Sequence, residues 1–177
     1  MDRRRVVVKA PRFGWDLPWP NAFEVAQVLP SDRWTLIGGL MVQVHAVAHQ
    51  ITTTRPTVDL DMLLHIEVLT GVTTEVAHKL TVLGYELEPP RRRNGPAYRF
   101  TRGRDHIDVM AADHAAPTIS PMLHAFPMFK VAGGTQALRR TMIYEFERPD
   151  GRAVDFSVPD ELGALVLKCA AYIADSR

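Results

Sequence analysis

The segment VDLDMLL, which begins at Val58, places two aspartates two residues apart in an otherwise apolar run. Alternation of this kind is typical of a β-strand, in which residues i and i+2 point to the same face. Asp59 and Asp61 are therefore expected side by side on a partly buried face, where like charges repel each other and each loses hydration. Such a pair requires compensation from elsewhere in the fold.

The overall composition is that of an ordinary globular protein. With 177 residues, 46% of them hydrophobic, the chain can bury a core as a single domain spanning residues 1–177, with an irregular lead-in at residues 1–20. A net charge of +1 means that any surface for nucleic acid must be local. The single cysteine, Cys169, excludes an intrachain disulfide, and no apolar stretch reaches the length of a membrane span. These features predict a soluble, cytoplasmic protein.

Strand and helix patterns alternate in the first half of the chain. RWTLI predicts a strand, Gly38 and Gly39 follow it, and LMVQVHAVAHQ has the length of a helix. After the aspartate strand come the helix EVAHKLTVLG and a β-hairpin of AYRFTR and HIDVMAA around Gly103. Three further strands, FPMFKVA, TMIYEFE and AVDFSV, precede the final helix ELGALVLKCAAYIADS. This order predicts an α+β fold, with a mixed β-sheet and flanking helices.

The glycine pair and the aspartate strand belong to one strand–helix–strand unit. Glycines at a strand-to-helix turn let backbone N–H groups approach a ligand, and a helix N-terminus favours phosphate. Paired carboxylates suit Mg²⁺, which binds one or two of them together with substrate phosphates. A third acid in a similar apolar setting is Asp108, in HIDVM. Three such acids can hold two metal ions, the arrangement used in nucleotidyl transfer.

The motifs LIGGLMVQVHA, TTTRPTVDLDMLL and HIDVM together resemble the DNA polymerase β-type nucleotidyltransferase superfamily. Within it, the chain is most similar to the AbiEii/MenT type, the toxin half of bacterial toxin–antitoxin pairs. The lead RPT before Asp-x-Asp, with Arg55 and Thr57, and a later helix that carries Lys168 are typical of that group. The resemblance covers roughly residues 33–177 and implies the nucleotidyltransferase fold.

The resemblance also implies roles for individual residues. Asp59, Asp61 and Asp108 would bind Mg²⁺, or Mn²⁺, in a two-ion site, and Asp108 would also help to activate the attacking hydroxyl. In the absence of metal, at least one of Asp59 and Asp61 should have a raised pKa.

The nucleotide would be held by other residues of the same motifs. Gly38 and Gly39 would hold the triphosphate, and Lys168 would contact its phosphates as a compact cation. Arg55 would neutralise triphosphate charge or orient the aspartates. Members of the family continue past the final helix with a Lys-Asp pair and a further helical region. This sequence stops at Arg177, which is expected of a short variant or of a chain that lacks the C-terminal part of the family.

The activity implied is transfer of a nucleotide from an NTP to an acceptor hydroxyl, such as the 3′ end of tRNA, which would block translation. A cognate antitoxin protein would be the physiological partner. Two alternatives stay open: nucleotidyl or phosphoryl transfer to a small molecule or protein, and a catalytically silent nucleotide-binding or interaction module. Arginines at 91–93, with Arg139 and Arg140, form either a surface for RNA phosphates or solvated loops.

Three other features have simpler interpretations. His45 and His49 are spaced i, i+4, but no further ligand completes a zinc pattern, so packing or polar contacts are expected. The second glycine pair, Gly133 and Gly134, precedes no Asp-x-Asp strand and predicts an ordinary connecting turn. Asp113 follows the strand of Asp108 and is expected to have a loop or capping role.

Overall fold

The computed structural model describes residues 3–9, 15–52, 56–67, 69–114, 122–148 and 150–176. Within these ranges the helices are α1 (Trp19–Val28), α2 (Gly38–Ala48), α3 (Val72–Val82), α4 (Gly134–Leu138) and α5 (Glu161–Asp175). The strands are β1 (Arg5–Val8), β2 (Trp34–Ile37), β3 (Asp59–Leu64), β4 (Glu86–Leu87), β5 (Arg99–Arg102), β6 (Asp105–Ala112), β7 (Met122–Leu123), β8 (Phe126–Pro127), β9 (Lys130–Val131), β10 (Thr141–Glu147) and β11 (Ala153–Pro159).

The largest sheet is mixed and has the strand order β2-β3-β6-β5-β4, with β9 added alongside β6. β3 lies between β2, to which it is antiparallel, and β6, to which it is parallel. β5 and β6 form the hairpin around Gly103 that the sequence predicts. The α+β class with a mixed sheet and flanking helices is therefore confirmed.

A second sheet has the order β1-β10-β11 and packs beside the first. The hydroxyl oxygens of Thr35 in β2 and Ser157 in β11 are both buried and lie 2.9 Å apart. A hydrophobic core connects the two sheets, and its aromatic part includes Trp34, whose ring meets Phe156 at 90°. α5 follows β11 directly and packs against α4 and against α2, the helix that begins at the glycine turn.

Two expectations about the elements are wrong. The lead-in at residues 1–20 is not irregular throughout, because Arg5–Val8 form β1 and pair in parallel with β10. A run of β-branched valines favours this extended conformation. The single strand expected for FPMFKVA is divided into β8 and β9, which pair with different partners. None of the helices in the described parts of the chain is long and apolar enough to cross a bilayer.

Candidate active site

Three aspartates lie on one face of the large sheet. Asp61 in β3 is directly opposite Asp108 in β6, and Asp59 is opposite His106 in the same parallel ladder. Residues that face each other across a ladder, and residues two apart on one strand, share a face. The register therefore brings the Asp-x-Asp pair and the third aspartate together, as the sequence predicts, although Asp59 and Asp108 are far apart in the chain.

The glycine turn lies against Asp61. Gly38 has a left-handed backbone, with φ of +69°, and a β-carbon there would collide with the Asp61 carboxylate. The backbone N–H of Gly39 donates a hydrogen bond to that carboxylate. A β-carbon at Gly39 would collide with the side chain of Thr57. Both glycines are thus required for the close approach of the turn to β3.

Arg99 contacts two of the aspartates. Its Nε and Nη2 atoms donate to the two carboxylate oxygens of Asp108, each at 2.7 Å. Nη2 also lies 3.6 Å from Oδ2 of Asp59. A two-point contact between guanidinium and carboxylate is among the strongest hydrogen-bonded pairs in proteins. The hydrogen bond to Asp108 raises the pKa of Arg99 further above its ordinary value.

The surroundings of Asp61 shift its pKa. Burial, followed by the negative charges of Asp108 and Asp59, raises the pKa of Asp61 from 3.8 to about 6. The hydrogen bond from Gly39 and the positive charge of Lys168 act in the opposite direction. The repulsion inferred from the sequence is therefore present in the fold, and it acts on one member of the predicted pair.

Lys168 approaches this face from α5. It is half-buried, and its charge is close enough to Asp61 to lower the pKa of that carboxylate. The structure thus gathers the predicted residues Gly38, Gly39, Asp59, Asp61, Asp108 and Lys168 in one region. Arg55, to which the resemblance assigns a nucleotide-binding role, lies outside the described residues.

Two residues of this region are not predicted from the sequence. Arg99 begins β5, and only its register opposite Asp108 places it in the cluster. His106 precedes Asp108 by two residues, as Asp59 precedes Asp61, and this spacing could have indicated that His106 belongs to the region. Its Nδ1 atom is buried and makes no hydrogen bond within the described part of the structure.

The region contains side chains that can bind a metal ion, but they are not arranged as they would be around a bound ion. In the ranges that the structure describes, no three His, Cys, Asp or Glu side chains are placed to hold a metal ion. Both oxygens of Asp108 contact Arg99. Carboxylate oxygens are the ligands that Mg²⁺ and Mn²⁺ prefer, and Gly38 leaves the space that Asp61 occupies. The donor set therefore fits a divalent cation, provided that Arg99 releases Asp108.

The second glycine pair is stabilised from within the protein. The Asp113 carboxylate accepts hydrogen bonds from the N–H groups of Gly133 (2.8 Å) and Thr135 (3.0 Å), at the start of α4. Burial raises the pKa of Asp113, but the hydrogen bonds from Thr135 and Gly133 outweigh it and hold the pKa well below its ordinary value. α2 has no acidic residue in its first turn and no side-chain cap at its N-cap residue, but the N–H of Gly39 donates to the Asp61 carboxylate of β3. Both glycine pairs are therefore bonded to a carboxylate of the chain, and the first of them lies beside the candidate metal ligands.

The two histidines of α2 have polar contacts rather than a metal pattern. Nε2 of His45 lies 2.9 Å from the carbonyl oxygen of Pro159, and its Nδ1 lies 3.3 Å from the Tyr144 hydroxyl. His49 contacts Glu161 at 3.4 Å. These partners agree with the expectation of packing and polar contacts.

The arginine-rich segment at 91–93 lies in the exposed connection between β4 and β5, the strand that begins with Arg99. Arg139 is exposed, whereas Arg140 forms an ion pair with Asp160 at 2.8 Å. Of the expected basic surface, the loop at 91–93 is therefore the part that continues along the chain into β5, where Arg99 contacts the aspartates.

Comparison of the chain with protein-family models, with curated proteins and with solved structures gives no match. The resemblance to nucleotidyltransferases thus depends on the sequence motifs, and the case for a site depends on the geometry described above.

Proposed function

We propose that this protein is a metal-dependent nucleotidyltransferase that transfers a nucleotide from an NTP to an acceptor hydroxyl. One observation carries the proposal: a glycine turn, three carboxylates and a lysine meet on one face, although they come from α2, β3, β6 and α5. Ordinary core packing does not require charged groups from three elements to converge, because each buried charge costs free energy.

The roles follow from the positions of the residues. The N-terminal turn of α2 at Gly38 and Gly39 receives the triphosphate, and Lys168 offsets its charge. Asp59, Asp61 and Asp108 would hold Mg²⁺ or Mn²⁺, both of which prefer oxygen ligands. When bound, the metal supplies charge neutralisation at the phosphates.

The reaction needs no reactant besides the NTP and the acceptor hydroxyl. The acceptor oxygen forms a bond to the α-phosphorus, and the bond from that phosphorus to the oxygen bridging the β-phosphate breaks. Pyrophosphate leaves with the bonding electrons, and Asp108 takes the proton of the hydroxyl. Positioning and charge compensation supply most of the rate in reactions of this class.

RNA is the acceptor that we favour, with the 3′ end of tRNA as the specific candidate. The exposed arginines at 91–93 support this choice, since basic loops bind the phosphates of nucleic acids. Modification of tRNA would stop translation, and a cognate antitoxin protein would then be the partner of this chain.

The experiment is transfer of label from each of the four NTPs, in turn, to total tRNA in the presence of Mg²⁺. We expect transfer by the wild type and none by Asp108→Asn. Asp105→Asn is the matched control, since Asp105 is on the same strand but faces the other side of the sheet and pairs with Arg102 at 3.4 Å. Asp105→Asn should retain transfer.

Growth on expression provides a second measurement. The wild type should arrest growth, and Asp59→Ala and Asp61→Ala should not. Transfer to tRNA that is unchanged in Asp108→Asn would overturn the proposed mechanism. NTP binding that requires Mg²⁺ but yields no product with RNA, protein or small-molecule acceptors would instead identify a catalytically silent module.

A further inference from the structure

We propose that Arg99 is an internal counter-cation that occupies the carboxylates of the active site until a triphosphate draws it away. This inference rests on the proposed function and assigns a positioning role to a residue that the motifs do not include. In the absence of a triphosphate, Arg99 would exclude a divalent cation from the aspartates. When a triphosphate is bound, Arg99 would contact its phosphates.

The first argument is the geometry of the contact. Both carboxylate oxygens of Asp108 receive hydrogen bonds from Arg99, and the same guanidinium reaches towards Asp59. Asp108 is only 10% exposed, so few other donors can reach its oxygens. A divalent cation would need the same oxygen lone pairs that Arg99 now uses.

The second argument is charge. Arg99 carries a fixed positive charge, because guanidinium stays protonated in proteins. A divalent cation at Asp59 and Asp108 would therefore meet a like charge at close range in a partly buried region, where such repulsion is large. Arg99 must move for the metal to bind.

The third argument is that a triphosphate offers Arg99 another partner. The planar fork of guanidinium matches phosphate oxygens as well as it matches a carboxylate. A triphosphate at the N-terminal turn of α2 would lie beside Asp61, which is opposite Asp108 in the ladder. Arg99 could then exchange Asp108 for phosphate, which frees the carboxylate for the metal.

Arg102, on the same strand, makes the contacts of an arginine that stabilises the fold. It contacts both oxygens of Glu24, at 3.0 and 2.8 Å, and donates to the Leu83 carbonyl at 2.9 Å. Its guanidinium also lies 4.3 Å from the centre of the Tyr85 ring. Arg102 holds β5 to its neighbours and lies away from the aspartates, so it is the matched control.

The test measures two ligands separately on the wild type, Arg99→Gln and Arg102→Gln. Binding of Mn²⁺ alone is followed by electron paramagnetic resonance, and binding of inorganic tripolyphosphate is followed by calorimetry in EDTA. We expect Arg99→Gln to bind Mn²⁺ about tenfold more tightly and tripolyphosphate about tenfold more weakly than the wild type. Arg102→Gln should match the wild type for both ligands.

Opposite changes in the two affinities are the decisive result, since a loss of folding would weaken both. Arg99→Lys keeps the charge without the fork, so it should still exclude Mn²⁺ while binding tripolyphosphate less tightly. Mn²⁺ binding by Arg99→Gln that is no tighter than that of the wild type would overturn the inference and leave the proposed function intact. If neither protein binds Mn²⁺ or tripolyphosphate, both the inference and the proposed function fail.

Discussion

Asp61 and Asp108 face each other across the parallel ladder of β3 and β6, yet their charges are balanced in different ways. Asp108 is held by the two-point contact with Arg99, at 2.7 Å to each oxygen. Asp61 is half-buried next to two other carboxylates, and its pKa rises to about 6. The cluster therefore contains one carboxylate that is bonded to a cation and one that takes up a proton at a higher pH than an ordinary aspartate.

The first prediction concerns stability and pH. The pKa of Asp61 is about 6 in the folded protein and 3.8 without the fold, so between these values the folded state binds more protons. The free energy of unfolding should therefore fall by about 2 kcal/mol from this residue as the pH rises from 4 to 6. Urea titrations of Asp61→Asn in the absence of metal should show a smaller fall.

Asp16→Asn is the control for this experiment, because Asp16 is exposed and on no element of the cluster. Its dependence on pH should follow that of the wild type. An Asp61→Asn variant with the full wild-type dependence would show that Asp61 does not titrate in this range.

The second prediction compares two glycines with left-handed backbones. Gly38 has φ of +69° and Gly103 has φ of +62°, so alanine is strained at both, by about 1–2 kcal/mol. Only at Gly38 would the added β-carbon also meet the Asp61 carboxylate, while at Gly103 nothing lies within 4 Å. Gly38→Ala should therefore lower the free energy of unfolding more than Gly103→Ala, and should abolish Mn²⁺ binding.

The comparison is made by chemical denaturation of both variants under the same conditions. Equal losses for the two substitutions would mean that the turn does not approach β3 as closely as described.

The third prediction concerns the contact between Gly39 and Thr57. Gly39→Ala should be strongly destabilising, because the new β-carbon would overlap the Thr57 side chain. Thr57→Gly removes that side chain and should recover part of the loss. A double-mutant cycle on the free energy of unfolding should give a coupling of about 1 kcal/mol or more. Additive effects of the two substitutions would argue against the contact.

The fourth prediction separates the two glycine pairs. Asp113→Ala removes the acceptor for Gly133 and Thr135 and should lower the free energy of unfolding by about 1–2 kcal/mol. The pKa of Asp113 is lower in the folded state, so its stabilisation is present above pH 3.8 and is lost only as the pH falls through its depressed folded value.

Mn²⁺ and tripolyphosphate binding should be unchanged in Asp113→Ala, since Asp113 is on none of the elements that carry Gly38, Gly39 or the three aspartates. Weaker binding of tripolyphosphate in this variant would assign phosphate to the second glycine pair instead of the first.

Local pattern was sufficient to predict much of this fold. β2, α2, β3 and the hairpin of β5 and β6 follow from alternation, apolar density and turn glycines, and the structure contains each of them. β1 was missed because its short valine run becomes a strand through pairing with β10, more than 130 residues later. A contact so distant in sequence leaves no local periodicity to detect.

The candidate site could likewise be predicted only in part, because some of its residues come together through strand register and not through a local sequence pattern. Asp59, Asp61 and Asp108 could be identified because each has an apolar setting that makes a carboxylate unusual. Arg99 could not, because an arginine at the start of a hairpin strand is ordinary, and its importance depends on register opposite Asp108. The repulsion of the aspartates predicts a bound divalent cation, and in this structure Arg99 donates to Asp108 and lies 3.6 Å from Asp59.

The position of Lys168 on α5 has a consequence for biosynthesis. A chain leaves the ribosome from its N-terminus, and its early part can fold while the rest is still being made. The glycine turn, the three aspartates and Arg99 are all translated before β10 and β11, which precede Lys168. Arg99 and Asp108 are 9 residues apart, so a growing chain that carries β5 and β6 can form their pair before Lys168 is translated.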